Sequence, residues 1–281
     1  AYRYAGTLTG HEVEIIDRKL DKYMAAKAAD GKMSHLLIDR FRFDSFVPES
    51  DGDEASRLLT RFGDLVYMFF MITPPEATVE RAWKRGLEVG RYKAVDDLLA
   101  HNIEAYTGMP QLFFTWALRT KKRVHYEFLD NSVPKGSQPR TVAFGWNGEM
   151  NILDIKCLLD IDRFRKINVD ARNPDEIYDE REMSAKKNVA FLVQCAERIP
   201  ILNFVDERTG CIYARLDHGK WIWRDSEYLA GLAGEEDARA GLQAIGLNDP
   251  RDGKTALTLA PELDFERADT VGAWGSGRTN L

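Results

Sequence analysis

Positive charge is spaced along one segment of the chain in a way that could grip phosphate. Arg81 and Arg85 stand one helical turn apart in PPEATVERAWKRGLEVGRYK, and Arg91 and Lys93 follow around Gly86 and Gly90. Guanidinium groups present a planar fork of donors that matches phosphate oxygens, and several of them aimed at one phosphoryl group stabilise the charge it develops during transfer. A second group is Asp39-Arg40-Phe41-Arg42-Phe43-Asp44, directly after the apolar run His35–Ile38. A carboxylate that ends a hydrophobic strand can hold Mg²⁺ through water, and charges past the carboxyl end of a parallel strand sit where open α/β sheets bind ligands. Asp130-Asn131-Ser132 follows another such run, Val124–Phe128. Each group also has a plainer reading. Glu80 and Lys84 can pair along a helix surface, Arg42 can pair with Asp44, and D-N-S is by itself a good turn.

The elements that must position these residues can be read from pattern. Leu65 to Ile72 is an uninterrupted apolar run, which suits a parallel strand covered on both faces. Thr73 is the expected N-cap of the next helix, Pro74 its first residue and Glu76 the far side of a T-x-x-E capping box. On that helix Val79, Ala82, Trp83, Leu87 and Val89 form a packing face opposite Glu80, Arg81, Lys84, Arg85 and Glu88. Gly86 and Gly90 are expected to loosen the backbone around Arg91 and Lys93 before a second helix starts near Asp96. That helix carries Val95, Leu98, Leu99, Asn102 and Tyr106 as its stripe and is expected to break at Gly108-Met109-Pro110. Gln111 to Thr120 reads as a further core helix. Strand, basic helix, glycine-flanked basic loop and helix together outline a phosphate-gripping lid. Upstream, Thr9 and Glu12 open a helical stripe of Val13, Ile16, Leu20, Tyr23 and Met24 that ends near Asp30-Gly31, and a strand is expected at His35–Ile38.

ITPPEATVERAWKRG followed by GRYKAVDDLLAH resembles the lid region of the zeta-toxin group of P-loop kinases. The resemblance covers residues 7–132, under half of the chain. It implies a parallel sheet with flanking helices, as in P-loop kinases, and transfer of a phosphoryl group from ATP or GTP, with Mg²⁺, to a hydroxyl of a small nucleotide-type acceptor. By it, Arg81, Arg85 and Arg91 stabilise the transferred phosphoryl. Asp39, with Arg40 or Arg42, faces the acceptor, and Lys93, Asp130 and Asn131 attend the nucleotide. The family's Walker A lysine and the catalytic aspartate after its first strand have no match here, so they are expected upstream of Ala1 or lost. Gly253-Lys254-Thr255 does not supply them: position 248 is Asn rather than Gly, no apolar strand precedes, and Pro261 follows closely.

Composition sets the wider bounds. The chain has 281 residues, 44% of them hydrophobic, and a formal net charge of −6. An acidic balance argues against a nonspecific nucleic-acid coat and against an RNA-end kinase. Cys157, Cys195 and Cys211 have no C-x-x-C spacing, which reads as reduced thiols in a cytoplasmic setting, with Cys157 and Cys195 in the core. No stretch has the length of a membrane span. The five histidines lack metal-site spacing, and no G-x-S-x-G occurs.

Three regions are expected: a kinase-like α/β domain over 1–139, an α+β extension over 140–232 packed on the sheet, and a Gly/Asp-rich tail over 233–281. The extension carries hairpin signals at Asn147-Gly148 and Asp217-His218-Gly219, a helix from Glu180 to Arg198, and the charges Asp160, Asp162 and Arg163, read as surface ion pairs. The function expected is a zeta-toxin-like phosphotransferase, with an antitoxin or other protein as a further partner. The alternative is a catalytically incomplete, kinase-derived interaction module.

Overall fold

A computed structural model describes residues 65–118, 122–223, 235–247 and 258–259, together with Leu37 and scattered residues between Ile15 and Gly31. Those scattered residues are helical from Ile15 to Ala29 and turn at Asp30-Gly31, as the stripe predicts. Of the expected strand His35–Ile38 only Leu37 is described, in no regular element. Asp39, Arg40, Arg42 and Gly253-Lys254-Thr255 lie outside the described residues.

The chain runs β1 (Leu65–Ile72), α1 (Pro75–Val89), α2 (Val95–Ala117), β2 (Arg123–Asp130), β3 (Arg140–Trp146), β4 (Glu149–Ile152), α3 (Ile155–Arg163), α4 (Ala190–Arg198), β5 (Ile201–Val205), β6 (Ile212–Asp217), β7 (Lys220–Trp223), α5 (Glu236–Ala244) and β8 (Thr258–Leu259). The strands form one sheet in sequence order. β1–β2, β4–β5 and β7–β8 are parallel, and the four pairs between them are antiparallel. The parallel sheet expected is thus corrected to a mixed one. The two hairpins fall where their turn residues put them, with Asn147 at φ 41° and His218 at φ 45°. They extend the sheet edge to edge, so the segment from Arg140 onward continues the sheet instead of packing upon it.

The topology repeats. β1–α1–α2–β2–β3 and β4–α3–α4–β5–β6 each make a parallel pair across two helices and then an antiparallel neighbour. The register shifts at Phe128/Leu129 in the first unit and at Phe204/Val205 in the second. Asp130 and Asp206 then accept the amide N–H two residues on, from Ser132 at 2.9 Å and Arg208 at 3.1 Å.

Helices α2, α3, α4 and α5 cover one face of this sheet. Phe113 and Phe114, Leu158 and Leu159, Phe191 and Leu192, and Leu242 join Phe70, Tyr126, Phe128, Met150 and Phe204 in a single apolar cluster. Phe113 lies at its centre, 5.9 Å from the Phe70 ring, 4.8 Å from Tyr126 and 5.7 Å from Phe191. That density of aromatic contact keeps α2 intact through Pro110, so the break expected there is corrected. The lost backbone bond to the Tyr106 carbonyl is outweighed by burial of Met109, Pro110, Leu112, Phe113 and Trp116 on the same helix. β1 is covered on one face only: Val66, Phe70 and Ile72 are buried, whereas Leu65, Tyr67, Phe69 and Met71 remain exposed. An apolar run without alternation does not reveal which face is covered.

Buried charge ties the helices of the second unit together. Arg163 bridges Asp160 at 2.7 Å and Asp237 at 2.6 Å, joining α3 to α5. Asp162, almost fully buried, accepts the Phe191 N–H at 2.7 Å and so caps α4 from outside its own chain segment, while Arg165 pairs with it at 2.8 Å. The expected surface ion pairs are therefore interior contacts. The helix expected from Glu180 is correspondingly short, preceded by a 3₁₀ turn at Ala185–Lys187.

Candidate functional site

The carboxyl ends of the parallel strands β1 and β2 lie side by side, with Ile72 opposite Asp130. Position 73 begins the crossover, and its backbone is held by a tyrosine. Thr73 N–H donates to Tyr106 Oη at 2.7 Å, and Tyr106 Oη donates back to the Thr73 carbonyl at 3.0 Å. Burial raises the Tyr106 hydroxyl pKa, keeping it a neutral donor and acceptor. Thr73 Oγ1 also accepts from Asn131 Nδ2 at 3.2 Å, and Asn131 N–H donates to the Ile72 carbonyl at 2.8 Å.

These bonds remove Thr73 from its expected capping role. α1 begins one residue later, with Pro74 at the N-cap, Pro75 as its first residue and no side-chain cap. Glu76 accepts a short hydrogen bond from the Tyr178 hydroxyl instead of closing a capping box. Burial first, and then that carboxylate, push the Tyr178 pKa upward. The proline pair explains the shift, because Pro75 is the residue that can occupy the first helical position without losing a donor.

Arg81 is brought to the same strand ends. Its Nη2 donates to the Asn131 carbonyl at 2.6 Å and to the Val133 carbonyl at 2.9 Å. Farther along α1, Glu88 accepts from Lys135 of the same loop at 3.0 Å. The structure thus joins two separately expected groups, the helix arginine and the loop after β2, through a bond that the sequence does not signal. Arg85 and Arg91 are exposed and form no hydrogen bond or ion pair with any described residue. Glu80 and Lys84 form the surface pair expected, at 2.6 Å.

The loop between α1 and α2 is built differently from the expectation. Gly90 takes the left-handed conformation, φ 71°, that ends α1, and its N–H donates to the Gly86 carbonyl at 2.8 Å. Gly86, however, is a buried residue within α1 and not a loosening point. A Cβ there would lie 2.3 Å from Tyr92 Cδ1, so glycine provides the seat on which Tyr92 lies. Trp83, Leu87 and Val89, expected to pack, are instead exposed. Lys93 approaches His101, with Nζ 2.8 Å from Nδ1.

Asp130 belongs to a charge cluster around Arg140. That guanidinium donates to Asp154 at 2.5 Å and contacts Asp130 and Glu207, each at 3.3 Å. Burial alone would raise the Asp130 pKa, but the Ser132 hydroxyl and amide and the Arg140 charge outweigh it and hold the carboxyl below its usual range. Cys157, 3.4 Å from Arg140, is held well above the ordinary thiol range by burial and the surrounding carboxylates. Arg140 had no local signal in the sequence, since two of its partners lie 14 and 67 residues away.

Among the described residues no group of His, Cys, Asp and Glu is arranged to hold a metal ion, and no helix is long and apolar enough to cross a membrane. The guanidinium groups of Arg81, Arg85 and Arg91 are hydrogen-bond donors without an acceptor atom and cannot ligate Mg²⁺. Cys157 and Cys195 are buried free thiols, as expected, and Cys211 is exposed. Comparison of the chain with family models, with curated proteins and with solved structures finds no match.

Proposed function

We propose that this chain contributes the phosphate-gripping lid of a nucleotide-dependent phosphotransferase of the zeta-toxin type. The observation that supports the reading is a division of labour among the arginines of the first crossover. Arg81 is committed to the Asn131 and Val133 carbonyls and holds the lid helix against the strand ends, while Arg85, one turn on, and Arg91 in the following loop are exposed and form no hydrogen bond or ion pair with any described residue. Arg81 lies at the carboxyl ends of a parallel pair, where an open α/β sheet receives a charged ligand, and the two exposed guanidinium groups follow it along the same crossover.

In the reaction so envisaged, an acceptor hydroxyl oxygen forms a bond to the terminal phosphorus of ATP or GTP as the bridging P–O bond breaks. The nucleoside diphosphate leaves, and the hydroxyl proton passes to a base or to water. Arg85 and Arg91 offset the negative charge on the phosphoryl oxygens, and Arg81 acts as a positioning residue. The exposed Trp83, Leu87 and Val89 on the same helix favour a second reading, an interaction module in which this elbow meets a protein.

Calorimetric titration of the chain with ATP and GTP, beside an Arg85→Ala/Arg91→Ala double variant, tests the first reading. Saturable binding weakened at least tenfold by the double substitution is expected. Absence of binding at millimolar nucleotide, or binding indifferent to the substitution, would set the interaction-module reading in its place.

A further inference from the structure

The elbow between α1 and α2 encloses a pocket of about 390 Å³. Its walls are Val79, Ala82 and Trp83 from α1, Tyr92 and Lys93 from the loop, and Leu98 from α2. The volume lies within the range that small-molecule sites occupy, and the lining has their character, apolar with one charged group to fix orientation.

Two rings dominate it. Trp83 and Tyr92 stand with centroids 5.6 Å apart at 58°, and both remain more than half exposed. Aromatic side chains left open to water on a pocket wall offer stacking faces to any planar ring that enters. Their arrangement is fixed by the backbone: Gly86 is the residue that lets Tyr92 lie against α1, since a Cβ would come within 2.3 Å of the ring. The positive charge is local as well. Lys93 lines the pocket and is the charged residue of its wall. Lys93 meets His101 at 2.8 Å, but an ammonium has three donors; a purely apolar ligand would leave the others unused, whereas inorganic phosphate alone would leave the rings unused.

We infer that this pocket binds a planar aromatic ring bearing an anionic group, of the nucleoside monophosphate class, with the ring against Trp83 and Tyr92 and the anion at Lys93. The inference rests on the phosphotransferase reading only in naming such a molecule as the acceptor; the occupancy itself requires neither a second nucleotide nor Mg²⁺.

The test is titration of the full chain with AMP and with UMP, followed by NMR and by tryptophan fluorescence, with adenosine and ribose 5-phosphate as the anion-free and ring-free controls. Saturable binding of at least one monophosphate is expected, tighter than either control. Trp83→Ala should weaken it on the order of tenfold, as loss of one stacking face does, and Lys93→Ala should erase the preference over adenosine. Gly86→Ala, which displaces Tyr92, provides a second perturbation that keeps both the Trp83 and the Lys93 side chains. Trp83 is 60% exposed, so its removal leaves the core intact.

No saturable binding of either monophosphate, binding that ribose 5-phosphate or adenosine equals, or binding unchanged in both Trp83→Ala and Gly86→Ala would each overturn the assignment. Because these readouts contain no ATP or GTP and no turnover, a chain that binds AMP yet fails the lid test keeps the pocket and loses the kinase reading. The reverse result separates them equally well.

Discussion

Arg81→Ala removes a side chain that ties α1 to two carbonyls of the loop after β2, and its effect can be worked from the geometry of those bonds. Both bonds, at 2.6 and 2.9 Å, run from a charged donor to backbone carbonyls. Hydrogen bonds to charged groups contribute roughly 1.5–3 kcal/mol each when well shielded. Arg81 is only half-buried, so water replaces part of what is lost, and about 2 kcal/mol for the two together is a fair expectation. If the loop opens locally, 2 kcal/mol raises its open population about thirtyfold, at RT near 0.6 kcal/mol. Hydrogen exchange reads this directly at the Asn131 amide, bonded to the Ile72 carbonyl at 2.8 Å, and at the Ser137 amide, bonded to the Pro134 carbonyl at 3.0 Å. Both should lose protection by roughly that factor. Lys84→Ala is the control, since Lys84 lies on the same helix but pairs only with exposed Glu80. A change below about threefold at Asn131, or an equal change in the control, would refute the claim that Arg81 is a positioning residue.

Two further outcomes follow from buried groups. Asp162→Ala should cost about 2 kcal/mol in urea denaturation, because the Phe191 N–H loses its acceptor, while Asp162→Asn should cost less than half of that; equal losses would mean that the pair with Arg165, not the helix cap, carries the effect. His125 is fully buried, and burial lowers its pKa below 6.5, so the fold holds it neutral while the unfolded chain takes up a proton below that pH. Its stabilising contribution is complete above pH 6.5 and is lost as pH falls toward the depressed folded pKa, by up to about 1.4 kcal/mol per unit. His125→Phe should therefore narrow the difference in denaturation midpoint between pH 7 and pH 5, and an unchanged difference would count against it.

How much of this was legible in the sequence depended on whether the cause was local. β1, the helix after the paired prolines, the helical restart near Asp96 and both hairpins were visible because periodicity and turn residues act within a few positions. Asn147-Gly148 and His218-Gly219 made their turns where they stood. What was not visible has partners far away in the chain. Thr73 was a good local N-cap, but Tyr106 and Asn131 claim its polar groups. Pro110 was a good local breaker, but the aromatic core overrides it. The charged residues Asp160, Asp162 and Arg163 carried no mark of burial, since the groups that make it tolerable are on α4 and α5. The candidate site was half legible: the arginine-bearing helix and the loop after β2 were both singled out, but not the contact that joins them.

The repeated topology helps to decide which features of that site are particular to it. Asp130 ends β2 by accepting the amide two residues on, and Asp206 does the same after β5, following a register shift at the equivalent place. A geometry that recurs in the second unit belongs to the way the unit closes its strand, so the Asp130 turn alone is weak evidence for a ligand. Asn131 is different. Its counterpart by position is Glu207, which faces Arg140 instead of accepting from a crossover helix. The crossovers differ in the same sense. In the second unit Arg163 is bound by Asp160 and Asp237, and Arg198 lies over the Phe114 ring at 4.2 Å. Among the described residues, a helix arginine reaches the strand-end loop in the first unit, through Arg81, and no arginine of α3 or α4 does so in the second. If the two units share an architectural origin, a helix arginine committed to the strand-end loop in the first is the difference that the shared topology does not require, and the first crossover is where a function should be sought.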